Sequence, residues 1–588
     1  MEKTFELVKN TFKCVWTNIF PNTLKRKRPE SNKNTISATK TRNYLLNDPI
    51  LDWLNLYGEK NGFIKDNSSN SYSNFLLSRG QQFEKYIMDY LKPSINSLTF
   101  IDIDSKYKYF NEQGVEETLE HMRRGTHVIY QGYLMNKDLG IHGIPDLLIR
   151  GDIIRNIFGI YPVSEMEGVT GNREYRYVYY VVDIKFSSIH YGKRGNVLNR
   201  GSAKAYKAQL FLYNKILENL FFGRSELETP FQQPYCFLLG RRIVTSENEI
   251  YDGKKVLALL DMNKDNIAGD VRKSLNWLLE LRSDGEDWDI INPEREEMMP
   301  NLKNDNDYPW HNAKFILGRI QNDPTHYVGV NKKMRMDMQQ SGQNLGQYLE
   351  NIPENKRDIV RNMLNTSEDF VCYIREENIG KVRELFDEKI NFYVDFEFIS
   401  GSDLTFDYMT RNHLYMIGMG WEEEGKFNYE CFIPRRLTNQ EEKLNISRWL
   451  TRMRSISNGM DRKYRVIHWT KAETRMFDNL KELFCFRGEV EWYDLHPVFR
   501  DNQIVCKGMN NFSLKTVAKS FKKLGYIETV WEDNICDGLG ANMVIIGGKE
   551  GGNEYLETYV GMDEVRRYNL VDCKTMWELV KFLRCQIN

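Results

Sequence analysis

The sequence has few cysteines, no closely spaced pair of them and no long apolar run. Its nine cysteines are scattered, and only Cys236 lies between positions 15 and 371. This spacing argues against a zinc ribbon, a disulfide framework and an iron–sulfur cluster, which needs several thiolates close together. No apolar run approaches about 18 residues and no signal-peptide core is present. We therefore expect an intracellular protein, cytoplasmic or nuclear, that is not secreted and has no transmembrane segment.

The sequence also lacks a surplus of charge of either sign. Its formal net charge is −1, so any contact with nucleic acid must come from local basic patches rather than from an overall field. The run KRKRP at 25–29 is compatible with a nuclear-localisation signal and equally with a solvated tail. With 588 residues, 41 % of them hydrophobic, the chain is long enough for about two to four domains.

Two strand-like apolar runs within residues 142–185 each carry an acidic residue. Asp146 opens the first, and VVDIKF at 181–186 contains Asp183 and Lys185. Because strand side chains alternate, Asp183 and Lys185 point to one side, and pairing of the two strands can bring Asp146 beside them. Two carboxylates and an ammonium group suit metal-dependent phosphodiester hydrolysis. The alternative is an exposed ion pair on an edge strand, although the flanking YVYYVV predicts a buried strand, where such charges are costly.

Helical segments flank this pair of strands. Residues 77–92 have apolar side chains at helical spacing and include Glu84, which could by itself be a solvated surface residue. Residues 205–217 predict a second helix, on which Gln209 and Tyr213 are four positions apart and share a face. The charged side chains of the strands thus have polar neighbours on helices before and after them in the chain.

Four short motifs occur in a fixed order over the first half of the chain. They are G-x-x-F-E at 80–84, G-x-P-D at 143–146, D-h-K at 183–185 and Q-x-x-x-Y at 209–213. In this order, and in a helix–strand–strand–helix context, they resemble the RecB-like branch of the PD-(D/E)XK nucleases. The resemblance implies a restriction-endonuclease-like αβ core.

The resemblance also implies a site for Mg²⁺ or Mn²⁺. Its implied ligands are the carboxylates of Glu84, Asp146 and Asp183 and the backbone carbonyl of Ile184. Lys185 would serve the attacking water, and Gln209 and Tyr213 would support the geometry of the substrate or the metal. No iron–sulfur cluster is expected, although some relatives carry one.

The second half of the chain begins with charged helical segments and then returns to strands. NFYVDFEFIS at 391–400 places Asp395 and Glu397 two positions apart, so both carboxylates lie on one face of a predicted central strand. Further strands are predicted at 413–421, 426–433 and 464–469, with a helix before the last. This order fits an RNase H-like α/β sheet.

Three later residues complete a second acidic pattern. Glu473 opens a helix after a predicted strand, and Tyr568 and Asp572 are four positions apart on a C-terminal helix. The order D-x-E, acid, Y-x-x-x-D is similar to the signature of DnaQ-type exonucleases, and the domain resembles the YprB-type RNase H-like domain found fused to RecB-like nucleases. Taken singly, a strand with one wet face and an ordinary amphipathic helix would explain the same residues.

This second resemblance implies two divalent ions and a positioned water. The implied metal ligands are Asp395, Glu397, Glu473 and Asp572, and Tyr568 would position the water. Relatives usually have aspartate where this chain has Glu473. The longer side chain moves a ligand by about one methylene, and an error of about 1 Å can cost ~10²-fold in rate.

We therefore predict a multidomain α/β protein. Its predicted parts are a flexible arm at 1–43, a RecB-like PD-(D/E)XK nuclease domain at 44–270, a helical connector at 271–388 and an RNase H-like exonuclease-type domain at 389–588. The implied function is metal-dependent hydrolysis of nucleic acid, with DNA favoured over RNA, at single-stranded regions or ends during repair, recombination or replication.

Two alternatives stay open. The chain could be a nucleic-acid-binding scaffold in which one nuclease-like domain is degenerate, and Glu473 makes the C-terminal domain the first candidate. It could also be a metal-independent interaction module whose acids are solvated. The chain has no helicase-like P-loop, a possible helicase or repair partner is unknown, and no membrane partner is expected.

Overall fold

A computed structural model describes residues 35–66, 72–107, 109–158, 174–224, 226–365, 374, 376–486, 489–506, 509–531 and 538–587. The chain divides into two compact units, Met1–Asn67 with Arg79–Gln321 (unit 1) and Ser68–Ser78 with Asn322–Asn588 (unit 2). The basic run at 25–29 and residues 1–34 of the predicted arm lie outside the described residues. The described chain is already paired at Ile36, before the predicted end of the arm at 43.

The described part of unit 1 contains ten strands in two sheets. They are β1 (Ile36–Ser37), β2 (Phe100–Asp102), β3 (Val128–Tyr130), β4 (Leu134–Asn136), β5 (Ile141–Gly143), β6 (Leu147–Arg150), β7 (Tyr179–His190), β8 (Tyr235–Val244), β9 (Ile250–Asp252) and β10 (Ala258–Asp261). The larger sheet has the order β10-β8-β7-β6-β3-β2, with β9 paired to β8, and the smaller has the order β1-β5-β4.

Eight described α-helices accompany these strands. They are α1 (Arg42–Leu45), α2 (Ile50–Trp53), α3 (Tyr72–Ile95, whose first residues are counted with unit 2), α4 (Glu112–Arg124), α5 (Ile154–Ile157), α6 (Ala203–Phe222), α7 (Ala268–Asp284) and α8 (His311–Ile320). The central strand β7 is antiparallel to β6 and parallel to β8, and α6 is the crossover helix between β7 and β8. A parallel pair needs such a crossover.

Unit 2 is built on one sheet, which has five strands within the described residues. They are β11 (Ile390–Ser400), β12 (Asn412–Glu423), β13 (Lys426–Phe432), β14 (Tyr464–His468) and β15 (Trp492–Asp494). The order across the sheet is β13-β12-β11-β14-β15. The first three strands form an antiparallel meander, and β14 and β15 run parallel to β11. The strands predicted from the sequence are confirmed.

The helices of unit 2 precede, interrupt and follow the sheet. They are α9 (Lys332–Ser341), α10 (Leu345–Tyr348), α11 (Glu354–Asn365), α12 (Glu376–Glu384), α13 (Gly401–Leu404), α14 (Asn439–Gly459), α15 (Ala472–Phe484), α16 (His496–Asp501), α17 (Leu514–Lys523), α18 (Gly538–Glu550) and α19 (Met562–Ile587). The connector predicted at 271–388 is divided between the two units, because the boundary falls at 321.

The two faces of β11 pack against different helices. Phe392, Val394 and Phe396 belong to a buried cluster with side chains of α14 and α15, and the ring centroids of Phe396 and Trp449 are 5.6 Å apart. Tyr393 on the opposite face belongs to a cluster that contains side chains of α19. Because Asp395 and Glu397 share the face of Tyr393, the sequence alternation directs both carboxylates toward α19.

None of the described helices is both long enough and apolar enough to cross a bilayer. The chain is thus a multidomain α/β protein with one mixed main sheet in each unit.

Candidate metal centres

The first candidate centre, site 1, consists of Asp146, Asp183 and Lys185 in unit 1. Asp146 immediately precedes β6, whose Leu147 pairs with Val182 of β7. The backbone N–H of Ile184 donates a hydrogen bond of 2.6 Å to Asp146 Oδ2, and Lys185 Nζ lies 2.7 Å from Asp183 Oδ2. The strand pairing predicted from the sequence therefore brings the three charged groups together.

The charges of site 1 interact closely around a buried Asp183, while Asp146 and Lys185 are half-buried. Asp183 is 0 % exposed, and apart from the ion pair with Lys185 its carboxylate oxygens have no hydrogen-bond partner among the described residues. Burial raises the pKa of Asp146 well above its ordinary value, and the negative charge of Asp183 adds to this effect. Burial alone would lower the pKa of Lys185, but the carboxylates of Asp183 and Asp146 outweigh it and hold that pKa above its ordinary value. Lys185 is therefore an ammonium ion at neutral pH.

Gln209 and Tyr213 of α6 brace the backbone beside site 1. Gln209 Nε2 donates to the hydroxyl of Tyr213 at 2.8 Å, and this hydroxyl donates to the carbonyl of Ile144 at 3.2 Å. A Cβ atom at Gly143 would lie 2.1 Å from Cε1 of Tyr213. The glycine of the G-x-P-D motif is thus required by the tyrosine ring, which holds the turn that carries Asp146.

Glu84, the remaining acid predicted for site 1, is held by other partners. It lies on α3 as predicted, but its Oε1 accepts hydrogen bonds from Tyr130 at 2.8 Å and from Gln131 at 2.7 Å. Among the described residues, Glu84, Asp146 and Asp183 do not form a group whose ligand atoms all lie within 4.8 Å of one another. This geometry therefore does not place Glu84 with Asp146 and Asp183 as a ligand of one ion. The charge of Glu84 still raises the pKa of Asp146.

The backbone carbonyl of Ile184 is the other predicted ligand of site 1. Ile184 lies opposite Leu239 in the parallel β7–β8 ladder, and its N–H is the donor to Asp146. These contacts place Ile184 next to both acids. Its role as a carbonyl ligand stays a prediction.

The second candidate centre, site 2, consists of Asp395, Glu397 and Asp572 in unit 2. Each offers one carboxylate oxygen such that all three atoms lie within 4.8 Å of one another. Asp395 and Glu397 come from the central strand β11, and Asp572 comes from α19. Glu397 and Asp572 are buried, at 7 % and 6 % exposure. The structure thus brings these three predicted residues together, and their role as metal ligands stays a prediction.

Asn569 holds two of these carboxylates and was missed by the sequence analysis. Its Nδ2 donates to Asp395 Oδ2 at 2.8 Å and lies 3.4 Å from Glu397 Oε1. Its Oδ1 accepts a hydrogen bond of 2.9 Å from the hydroxyl of Tyr429. A Cβ at Gly418, which lies opposite Asp395 in β12, would be 1.5 Å from this oxygen. The glycine therefore makes the space that Asn569 fills.

Site 2 concentrates negative charge in a region of low solvent access. Burial raises the pKa of Asp395 and of Asp572 well above the ordinary value, and the neighbouring acids add to this effect. Burial also raises the pKa of Glu397 to about 7, although Asn569 and the charge of Lys515 act in the opposite direction. Each carboxyl therefore resists ionisation while the others are charged.

Glu473 lies next to site 2 but not within it. It is in the first turn of α15 as predicted, yet its Oε2 lies 3.5 Å from His468 Nδ1, and it is not part of the acidic group that the described residues form. The prediction that it is a ligand equivalent to the other acids is thus not met. Its charge still reaches the group, since it raises the pKa of Asp395 and of Asp572.

Lys515 is the second residue that the sequence analysis missed. Its Nζ lies 4.9 Å from the ring centroid of Tyr568 and 5.8 Å from that of Trp531, and its charge lowers the pKa of Glu397 and of Asp572. Lysines on a helix such as α17 commonly extend into solvent. Position 515 borders the buried apolar stripe of that helix, which is the signal that could have indicated an inward-facing lysine.

The donor set of site 2 fits a hard divalent cation. All three candidate ligands are carboxylates, which Mg²⁺ and Mn²⁺ prefer. Asp572 Oδ2 is buried and accepts no hydrogen bond from any described residue, and such an orphaned oxygen is costly unless a partner is supplied. Asp183 at site 1 is in a similar position, with Lys185 as its one charged neighbour among the described ion pairs. Cations at these places would satisfy the oxygens and lower the repulsion among the acids.

The sequence matches no protein-family model and no curated protein. Function is therefore inferred from the geometry of the two sites and from the fold around them.

Proposed function

We propose that this protein is a metal-dependent nuclease that hydrolyses phosphodiester bonds of nucleic acid. The observation that carries the proposal is the group of Asp395, Glu397 and Asp572, whose carboxylate oxygens lie within 4.8 Å of one another. Its surroundings give further support. The order β13-β12-β11-β14-β15, with the last two strands parallel to β11, is typical of an RNase H-like sheet, and two of the acids lie on its central strand.

Unit 1 supports the same class of activity. The helix α3, the antiparallel pair β6–β7 and the crossover through α6 to the parallel strand β8 are compatible with the αβ core of a PD-(D/E)XK nuclease. We propose DNA with single-stranded regions or ends as the substrate, in repair, recombination or replication, on the basis of the resemblance noted in the sequence.

The residues of site 2 divide into ligands and supports. A bound Mg²⁺ or Mn²⁺ ion would lower the pKa of a water molecule and stabilise the leaving oxygen. Asp395, Glu397 and Asp572 would hold it, and Asn569 keeps the first two carboxylates in place through its amide. Tyr568 is one turn before Asp572 on α19, which suits the predicted role of orienting water.

The residues of site 1 divide into metal ligands, a cationic lysine and residues that support the backbone. Asp146 and Asp183 would hold the cation. Lys185 is protonated because two carboxylates raise its pKa, so it stabilises negative charge on the phosphate or orients water, and it does not act as a general base. Gln209 and Tyr213 hold the backbone that carries Asp146.

A second candidate function is a nucleic-acid-binding scaffold in which one domain is degenerate. The observation that favours it is that each site has one predicted acid directed elsewhere, Glu84 to Tyr130 and Gln131 and Glu473 to His468. The Glu473 substitution in the sequence makes the C-terminal domain the first candidate for lost catalysis. The closer grouping of acids at site 2, in contrast, favours that same domain as the active one.

A nuclease assay with matched variants tests both candidates. Labelled single- and double-stranded DNA and RNA are incubated with the full chain and Mg²⁺ or Mn²⁺. The variants Asp183→Asn, Asp395→Asn and their combination each remove one or both sites, and Asp478→Asn, at an exposed position of α15, is the control. We expect cleavage by the wild type and the control and none by the double variant. Absence of cleavage of every substrate by the wild type would refute the nuclease proposal.

A further inference from the structure

A pocket of about 430 Å³ lies at the ends of β14 and β15 in unit 2. Three cationic side chains line it, together with one acid, Asp494. Lys471 immediately precedes α15, Arg475 lies in its first turn and Arg500 lies on α16. Cations from two separate segments therefore face one space. A merely solvated helix face would not require this convergence, since Lys471 and Arg475 belong to one segment and Arg500 to another.

The positive charge of this pocket is only partly balanced. Lys471 and Arg475 form no ion pair within the part of the chain that the structure describes, whereas Arg500 Nε contacts Asp501 Oδ1 at 2.6 Å. The Oδ1 atom of Asp494 accepts the backbone N–H groups of Thr470 at 3.0 Å and of His496 at 3.1 Å. Asp494 thus holds the backbone at Thr470 and at His496. The pocket retains a surplus of positive charge.

The pocket continues into a larger groove. Thr470, His496 and Arg500 also line a groove of about 1110 Å³, whose walls include the rings of Trp469 and Phe512. The groove lining also contains Lys356 and three acids, Glu354, Asp358 and Asp501, and both rings are buried. The surplus of positive charge is therefore confined to the pocket, where a backbone phosphate would lie, and the groove offers polar space for the attached nucleoside. A small anion would need the pocket but not the groove.

The position of the pocket links it to site 2. Lys471 and Arg475 are each two positions from Glu473, and the groove reaches Leu514, the residue before Lys515. Glu473 and Lys515 both act electrostatically on the acids of site 2. An occupant of the pocket and groove therefore lies along segments that lead to the acidic group.

We propose that this pocket binds a phosphate of the nucleic-acid strand that is cleaved at site 2. The inference rests on the proposed function, because it takes the strand to be the substrate of that site. Lys471 and Arg475 hold the phosphate by charge-assisted hydrogen bonds, and Arg500 of α16 also lines the pocket. These residues bind the backbone and carry no information about base sequence.

Binding of a fluorescein-labelled single-stranded DNA to the full chain tests the proposal. Anisotropy is measured with Ca²⁺ in place of Mg²⁺, and the labelled strand is checked for integrity afterwards. The double variant Lys471→Gln, Arg475→Gln is compared with the control Arg454→Gln, Lys481→Gln. The control also removes one arginine and one lysine, but from α14 and from the far end of α15. Because all four changes conserve the helices, equal melting curves are expected.

We expect the pocket variant to bind the strand at least about tenfold more weakly than the wild type, because it loses the charge-assisted hydrogen bonds of two cations. The slope of log K against log salt should fall by about 0.7 for each phosphate that the variant no longer neutralises. The control variant should keep the affinity and the slope of the wild type. Equal affinity of the pocket variant and the wild type, or failure of the wild type to bind any strand, would overturn the proposal.

Two further outcomes separate this proposal from the proposed function. If the wild type binds the strand through the pocket but cleaves nothing with Mg²⁺ or Mn²⁺, the phosphate pocket is supported and the nuclease proposal fails. A titration with inorganic phosphate alone covers the other source of the same chemistry. Loss of phosphate binding in the pocket variant with unchanged strand binding would assign the pocket to a small anion and overturn the strand proposal.

Discussion

Metal binding at site 2 should release protons, because the carboxyls that would hold the ion are partly protonated without it. The pKa of Glu397 is about 7, and burial and neighbouring charge raise the pKa of Asp395 and of Asp572 as well. A metal ion binds the deprotonated carboxylate. Adding Mg²⁺ or Mn²⁺ near neutral pH therefore displaces protons into the solvent.

The size of the release follows from the titration of Glu397. A group with a pKa of about 7 carries about 0.9 proton at pH 6, about 0.5 at pH 7 and about 0.1 at pH 8. Asp395 and Asp572 add to this number because their pKa values are also raised. For each displaced proton, the apparent metal affinity should fall about tenfold per pH unit below the pKa.

Calorimetric titration with Mn²⁺ measures this release directly. At each pH, the experiment is run in two buffers of different ionisation enthalpy, and the difference in heat gives the number of protons released. Asp395→Asn removes one ligand of site 2, while Asp478→Asn removes an exposed carboxylate from α15 and serves as the control. The part of the signal that belongs to site 2 is the difference between the control and Asp395→Asn.

A pH-independent affinity would refute this reasoning. So would a number of released protons that is the same in Asp395→Asn and in the control at pH 6. Either result would show that the three carboxyls are ionised without metal or that they do not bind it.

Further predictions concern stability and the residues that support site 2. Without metal, the raised pKa of Glu397 contributes about 3 kcal/mol to the free energy of unfolding at pH values below 4.5, the ordinary pKa of a glutamate, and this contribution is lost as the pH rises through 7. Urea unfolding of the metal-free protein at several pH values measures the change. Stability that does not fall over this pH range contradicts the prediction. Gly418→Ala should destabilise unit 2 by about 1–3 kcal/mol because the new Cβ displaces Asn569. The control Gly459→Ala, which has open space around its Cβ, should leave the melting temperature unchanged. Equal melting temperatures of the two variants would show that Asn569 moves aside without cost. Lys515→Met should shift the pH midpoint of metal binding upward, since the lysine charge lowers the pKa of Glu397, and an unchanged midpoint in the same calorimetric titration would exclude that coupling.

Strand periodicity was the most informative part of the sequence. The alternation of β11 predicts that Asp395 and Glu397 share a face, and the apolar neighbours of Asp183 predict a buried strand. Both features depend on backbone geometry that local residues determine. Where the candidate sites are built from strands, the sequence was therefore sufficient to predict which acids lie close together.

The long acidic side chains could not be placed from the sequence. Glu84 and Glu473 lie on the helices and in the helical turns predicted for them, yet their carboxylates are directed by partners that the helices themselves do not supply. Tyr130 and Gln131 bind Glu84, and His468 faces Glu473. A glutamate has enough torsional freedom that such tertiary contacts decide its direction.

Asn569 and Lys515 were missed for a related reason. Helical spacing places Asn569 one turn before Asp572 on the same face, but an asparagine there is informative only once β11 is known to lie against it. Lys515 lies at the edge of an apolar stripe, where a lysine commonly extends into solvent. Their importance follows from which elements pack together, and no local pattern contains that information.

The contact between Asn569 and Asp395 joins positions 174 residues apart. Site 2 thus cannot exist in any fragment that contains β11 without α19, and its formation depends on one of the more distant contacts of unit 2. Folding of such non-local contacts is slow compared with that of helices, so the acids should meet late, after the sheet has formed. A cation that binds site 2 would bind only molecules in which β11 and α19 are already packed together. It would therefore stabilise the completed domain relative to incompletely folded forms.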